Sequence, residues 1–487
     1  MSARRLVAGL VSVVLPLLLV VAAVSGEPTR ATAPTFAAMG TPTMPFVPYQ
    51  GFINSTWFCP GVPNGGTGPG GSVTVANPLD VPLVGHLTVF TDAPGVGGTE
   101  IDFEVPARDT FNTELSAVQG QGSYLSAMVE INGGGGWVEQ QADHPDGSAV
   151  SPCSNSTSGT WYFADNYTLF DSQEDLVITN PFPDKAIIDF EFANADGTVR
   201  TPGRLQGMPI EGNSVLIVDQ RELLKDEATM GISIIASRGR VVAARAQQYL
   251  GERQGFSLSL GAPATSIEWT FADGENSGEN FERYAIYNPS DRDAVVTPVF
   301  LGINSDTFFN DVEEITVGAG RVVSFSIADV PDLPAGFHGA SFRSQNDVPV
   351  VVERAITRPA GDGGGFATTV VRGVESLYAG ANTGYFRWSM AVGTELAVDD
   401  VLVVLNLSAF AGTVTVSALG AGGEVPVPGL ESIPIGVNTV VRIAIPQEVA
   451  ALGHPLIVTA DQPIVVERLL PRGGDLRGRS GSLALPG

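Results

Sequence analysis

Positive charge is scarce in this sequence. Its 487 residues carry 26 Lys and Arg against 52 Asp and Glu, a formal charge of −26. Only Lys185 and Lys225 are lysines. Such a chain repels phosphate backbones and anionic headgroups, so a nucleic-acid partner is disfavoured. Histidine and cysteine are rarer still, at four and two residues. Zinc signatures of the His-Glu-x-x-His or Cys-x-x-Cys kind are missing, as are a Gly-x-Ser-x-Gly elbow and a Walker loop. His86, His144, His338 and His454 lie far apart in the chain and read as surface-loop residues. No cofactor and no metal are expected. Helical periodicity is almost absent, with Leu223 to Met230 the one candidate helical turn. Meanwhile 58 Gly and 34 Pro cut the chain into short elements.

Long apolar runs are confined to the N-terminus. Arg4 and Arg5 precede Leu6 to Val24, a stretch without a charge and long enough to span a bilayer as a helix. Ala23-Val24-Ser25 offers a signal-peptidase site, so residues 1–26 read as a signal peptide or a membrane anchor. Either outcome exports the rest. Residues 27–50 carry Pro28, Pro34, Pro42, Pro45 and Pro48 among Ala and Thr, the composition of an extended stalk reaching roughly 70 Å. In an exported chain, Cys59 and Cys153 read as one disulfide.

Four of the five tryptophans announce a repeat. Trp57, Trp161, Trp269 and Trp388 each open a motif such as Trp-Tyr-Phe-Ala-Asp at 161–165. An apolar run ending in Asn77, Asn180, Asn288 or Asn406 follows 18 to 20 residues later. Pro follows the first three of these asparagines. A closing motif comes third: Val-Val-Glu-Arg at 351–354 and 465–468, with looser copies at Glu139 and Arg245. Trp-x-Phe is period-2 alternation, so both side chains share a buried strand face. Asn-Pro ends a strand and opens a turn, the amide side chain bonding the turn backbone. Roughly seven short strands per hundred residues suggest all-β, immunoglobulin-like β-sandwich modules.

The expected organisation is therefore four tandem sandwiches after an N-terminal hydrophobic helix, at 51–154, 155–262, 263–374 and 375–475, with a tail at 476–487. A pair of larger barrels, each built from two units, is the alternative. These landmarks resemble a family of uncharacterised exported proteins from actinobacteria. In that family a hydrophobic segment precedes modules with Trp-[Phe/Tyr]-[Cys/Phe], Asn-Pro and Val-Val-Val-Glu-Arg. The resemblance covers about residues 53 to 475. It implies an envelope location and a non-catalytic scaffold, and it supplies no catalytic residue. Copy four departs with Asn-Leu at 406–407, and copy two has Ala244 where Glu is usual.

Among polar residues, Glu353-Arg354 and Glu467-Arg468 stand out. Neighbours on a strand point to opposite faces, so the two do not face each other, and Arg354 and Arg468 are expected to pair with a neighbouring strand or the next unit. Asp399-Asp400 and Asp311-x-Glu313-Glu314 read as solvated loops. The expected function is a non-catalytic envelope scaffold or adhesion-type protein. Modules in series would give it reach, and its partner would be a wall polymer or an envelope protein. Membrane attachment would run through the N-terminal helix, if uncleaved. A glycan-active enzyme, or an accessory to a glycan-handling membrane enzyme, is the rival.

Overall fold

Indole burial organises the molecule: Trp57, Trp161, Trp269 and Trp388 are each wholly inaccessible. They sit on strands Asn54–Pro63, Thr160–Asn166, Glu268–Phe271 and Arg387–Met390. This computed structural model describes residues 45–48, 54–65, 70–195, 197–222, 224–302, 308–359, 365–375, 385–393, 400–450, 452–471 and 479–487. The segment 1–26 and most of the stalk lie outside the described residues. No helix of the described residues is long and apolar enough to cross a membrane.

The described chain is almost entirely antiparallel β-sheet. Eight of its sheets have four to six strands and a ninth has two. Each repeat contributes two of the larger ones. The outer sheet holds the Trp strand, paired for example as Trp161↔Ile234. The inner sheet centres on the Asn-ending strand and the closing strand, paired as Ala285↔Glu353 or Val403↔Glu467. Its last strand is Gly147–Pro152, Gly255–Leu260, Phe366–Arg372 or Arg479–Leu483.

Those four last strands meet around one axis. The first packs on the second, the second on the third, the third on the fourth, and the fourth on the first. The repeats therefore close into a ring, and an array extended for reach is not what forms. A whole repeat is too long for a propeller blade, yet its inner sheet takes a blade's radial place. The axis is sealed. Three residues from each repeat, such as Val150 to Pro152 and Leu258 to Leu260, line a cavity of about 30 Å³. That is room for about one water molecule.

The last residues are no tail. Arg479–Leu483 pairs with Ile464–Pro471, and Leu485–Pro486 pairs with the Trp388 strand. At the other end of the chain, Val47 N–H donates to Pro486 O at 2.7 Å and Asn155 donates to Phe46 O at 2.8 Å. Both ends of the ring-forming chain thus meet on one face. Among the described residues, helix is confined to single turns, at Leu115–Val118, Gln447–Ala450 and a few 3-10 segments. Of the turn expected over 223–230, Leu223 lies outside the described residues, 224–229 are not helical and Met230 opens the strand Met230–Arg238; a 3-10 turn lies just before, at Gln220–Glu222.

Candidate functional site

The tryptophan strands end in backbone amides that the next repeat uses. The Trp161, Trp269 and Trp388 indole N–H groups donate to Val241, Val350 and Ile464 carbonyls at 2.8–2.9 Å. Trp57 Nε1 has no such partner among the described residues. Trp269→Phe should therefore lose about 1 kcal/mol more than Trp57→Phe, read as the difference in urea midpoint.

The asparagine landmarks are buried staples. Asn288 Nδ2 donates to Arg292, Val317 and Gly318 carbonyls, while its Oδ1 accepts from Ser290 N–H. Asn77, Asn180 and Asn406 repeat the arrangement, each bonding the carbonyl four residues on. The departure in copy four has a use: Leu407 N–H donates to Pro463 O at 3.0 Å, a bond proline could not make.

The Glu-Arg motif joins repeats. Glu353 reaches back to repeat two. Its Oε2 accepts from Ala164 N at 2.9 Å, Asp165 N at 2.7 Å and Arg245 Nη1 at 3.1 Å. Glu467 does the same to repeat three, accepting from Ala272 N at 2.7 Å and Arg354 Nη2 at 2.6 Å. All four ionic side chains are 1% exposed or less. Opposite-face projection is what allows this. Arg354 points into its own repeat, over the Phe271 ring, and Glu353 points out at the preceding one.

The ring's other two junctions differ. Between repeats four and one, Glu139 Oε2 accepts from Ala391 N at 2.7 Å and Val392 N at 2.8 Å. Arg468 is drawn aside to Asp400, at 2.9 Å, within its own repeat. Burial raises the Glu139 pKa, with only partial relief from the Arg468 charge and the two amides. Between repeats one and two the motif is gone from both sides. Gln140 stands in the Arg place and Ala244 in the Glu place, and Gln140 Oε1 instead accepts within its own repeat, from Gly61 N–H at 3.3 Å. Loss of the Glu in copy two is thus matched by loss of its partner and does not mark the pair as dispensable. The disulfide is present, Cys59 to Cys153, with Cα atoms 4.5 Å apart. It ties the Trp57 strand to the end of the first axial strand.

Further ionisable groups fill the junctions. Asp165 is held by Arg253 at 2.7 Å, and Asp273 by Arg358 and Arg442, both at 3.0 Å. Burial opposes their ionisation, but these arginines outweigh it and hold both carboxyls below the usual range. Glu174 is the contrary case. Burial pushes its carboxyl up to about 8, against the pull of Arg245. A carboxyl raised by folding binds its proton more tightly in the native state. Stability should therefore fall as pH rises from the ordinary carboxylate range to about 8, by at most about 1.4 kcal/mol per unit. Glu174→Gln should flatten that slope in urea midpoints measured between pH 5 and 8.5.

Two histidines depart from the surface-loop expectation. His338 is wholly buried, its Nε2 3.2 Å from Glu282 Oε1 and its ring edge-on to Phe300. Tyr284 O–H donates to the same oxygen. This trio resembles an acid–base relay, but all three residues are inaccessible. His144 is only partly exposed and stacks on Phe256. His86 is exposed, 2.7 Å from Asp102 and 3.9 Å from Glu100. Of the acidic clusters, Glu313 and Glu314 are exposed, Asp400 serves Arg468, and Asp399 lies outside the described residues.

A model for a family of unknown function, DUF5719, matches residues 135–379, just over half of the chain. The chain belongs to the DUF5719 family. The DUF5719 match runs from the closing motif of repeat one through the axial strand of repeat three, so it includes the Arg245–Glu353 junction. No curated protein matches the chain. Among solved structures, Thermotoga maritima 1070 is 17% identical over 23% of this chain and 96% of its own, with a TM-score of 0.20. A tetra-tandem repeat from the extending region of a large adhesion protein is 12% identical over 83% of this chain and 93% of its own, with a TM-score of 0.11. Likeness at these scores carries no argument.

Proposed function

We propose that this DUF5719 protein is a non-catalytic scaffold of the cell envelope: four immunoglobulin-like sandwich modules closed into a rigid ring, held outside the cytoplasmic membrane by the N-terminal segment and its Pro-rich stalk. One observation carries the reading. The polar residues that recur from repeat to repeat are consumed by the ring's own junctions, and the axis around which a shared active site would sit holds about one water. What remains for contact is the surface, and it is polarised. The first three axial strands begin near Asp146, Gly255 and Ala367, which lie together. The chain enters the ring at the opposite end, beside Pro486. The hairpin face, where those strands begin, is the one we assign to wall polymers or partner proteins. The disulfide suits an oxidising compartment.

The test is binding of the full-length protein to isolated cell wall, before and after polysaccharide digestion, together with the mass of the mature N-terminus. Retention abolished by digestion is the expected result. Retention on neither digested nor undigested wall, or turnover of a glycan, would overturn the reading.

A further inference from the structure

The hairpin face has a place where the repeat pattern does not explain the residues. Arg283 lies opposite Ala355 in the inner sheet of repeat three. The same register position, opposite the residue after the closing Arg or its substitute, holds Ser72, Asp175 and Val401 in the other repeats. A guanidinium there is therefore not part of the common architecture. It is also unusual in its company. Among the described residues Arg283 has no hydrogen bond and no ion pair, although this protein carries twice as many acids as bases. Its near neighbour is another guanidinium, Arg253, whose own charge is spent on Asp165 at 2.7 and 3.0 Å. Desolvation and the Arg253 charge push the Arg283 pKa down, and Asp165, Tyr167 and Glu252 offset them only in part. A guanidinium with no direct side-chain partner, beside a second guanidinium, forms a site that a bound anion would relieve.

The surroundings are aromatic and open. Arg253 lies over the Tyr167 ring at 4.5 Å. Phe281, two residues before Arg283 and so on the same strand face, is 62% exposed and meets Phe366 edge-on at 6.1 Å. Phe366 is fixed by its N–H, which donates to Gln254 Oε1 at 3.1 Å. Across the turn that carries Arg253, Phe170 is 51% exposed and packs against Gly251. Phe170 and Asp171 both hold positive φ, 56° and 59°, a conformation that bulky L-residues avoid. Strain that turns an apolar ring outward is a cost with no return in the core.

We propose that this notch between repeats two and three binds an acidic sugar, its carboxylate or phosphate on Arg283 and its ring face on the exposed phenylalanines. The ring faces stand open to solvent rather than lining a deep pocket, which suits the flat CH face of a pyranose better than a buried apolar peptide side chain. The net charge of −26 favours an isolated anionic group over a dense polyanion, which would be repelled as it approached. Glu252, exposed on the same turn, offsets part of the Arg283 charge, so a bound anion competes with that carboxylate. The proposal rests on the wall-polymer reading for its choice of a sugar, and on Arg283 alone for the anion.

The experiment is calorimetric titration of the full-length protein with glucuronate, glucose 1-phosphate, inorganic phosphate and glucose. The acidic sugars should bind at least roughly tenfold more tightly than inorganic phosphate, and glucose should not register. Arg283→Gln should abolish binding of both acidic sugars while leaving the urea midpoint unchanged or raised, because it removes an unpaired charge beside another. Phe281→Ala should reduce the acidic sugars to the level of inorganic phosphate. Binding that survives Arg283→Gln, or a midpoint lowered by it, would overturn the anion site. Equal affinity for phosphate and the acidic sugars, or tighter binding of an acetylated Asp-Phe dipeptide, would overturn the sugar. Loss of wall retention with these titrations intact would count against the scaffold's wall partner and leave the site standing.

Discussion

Arg354→Leu should destabilise the protein by about 3–5 kcal/mol, the range for removing one member of a buried ion pair. Two carboxylates depend on this guanidinium. Glu467 accepts from it at 2.6 and 3.1 Å, and Asp273 lies 3.7 Å away. None of these groups can reach water, so the orphaned charge of Glu467 keeps its desolvation penalty without its partner. Glu467→Leu should cost a similar amount, because Arg354 then keeps only the more distant Asp273 carboxylate and the Asp273 carbonyl, and the Ala272 and Asp273 amides lose their acceptor. The double variant Arg354→Leu/Glu467→Leu should cost less than the sum of the singles, since two apolar side chains replace the pair together. Urea midpoints of the four proteins close the cycle. Additive costs would mean that the pair does not act as a unit across the junction.

The four junctions rank the ring's seams by the same physics. Repeats two to three and three to four are joined by direct guanidinium–carboxylate pairs. Repeats four and one are joined by a carboxylate on two amides, its arginine diverted to Asp400. Repeats one and two have no guanidinium–carboxylate pair of this motif, and are joined by Tyr124 O–H to Asp175 at 2.7 Å and Thr179 O–H to Pro60 O at 3.1 Å. At the closing seam the fourth axial strand packs on the first, and Glu139 adds hydrogen bonds to amides that lie about 250 residues later in the chain. Sequence-adjacent repeats one and two are already held by the chain that joins them.

Local features were legible because their causes are local. Strand alternation buries each tryptophan, and Asn180 bonds the turn that its own Asn-Pro opens. The opposite projection of Glu353 and Arg354 follows from the pleat alone. Closure of the ring was not legible, because a period says that units resemble one another and nothing about whether the last meets the first. One signal was present and unread. Copy one lacks the Arg that copy two's missing Glu would have met, as Gln140 and Ala244 stand in adjacent copies. A paired loss of that kind marks a contact. His338 was misread for a related reason. A Gly-Phe-His-Gly stretch looks like a loop, and only the fold brings Glu282 and Phe300 to cover the ring. The anion notch could not be found by repeat logic at all, since Arg283 is what the repeats do not share.

Removing the disulfide should be the second large effect. Cys59 and Cys153 close a loop of 94 residues. The chain-entropy model gives about 4–5 kcal/mol for a loop of that length, lost through the unfolded state when the link is absent. Cys59→Ala/Cys153→Ala should therefore lower the unfolding free energy by up to about that amount. Reductant should lower the parent to a similar level and leave the double variant unchanged. The loss should also be local in its first expression. Repeat one is the unit whose junctions are weakest on both sides, with no Arg-Glu pair toward repeat two and a diverted arginine toward repeat four. Amide exchange in residues 54–154 should accelerate before exchange in the Trp269 strand, whose end is fixed by Glu467. A double variant within about 1 kcal/mol of the parent would show that the unfolded chain is held compact without the link. Uniform acceleration around the ring would show that the junctions fail as one, and the ranking of seams would then be wrong.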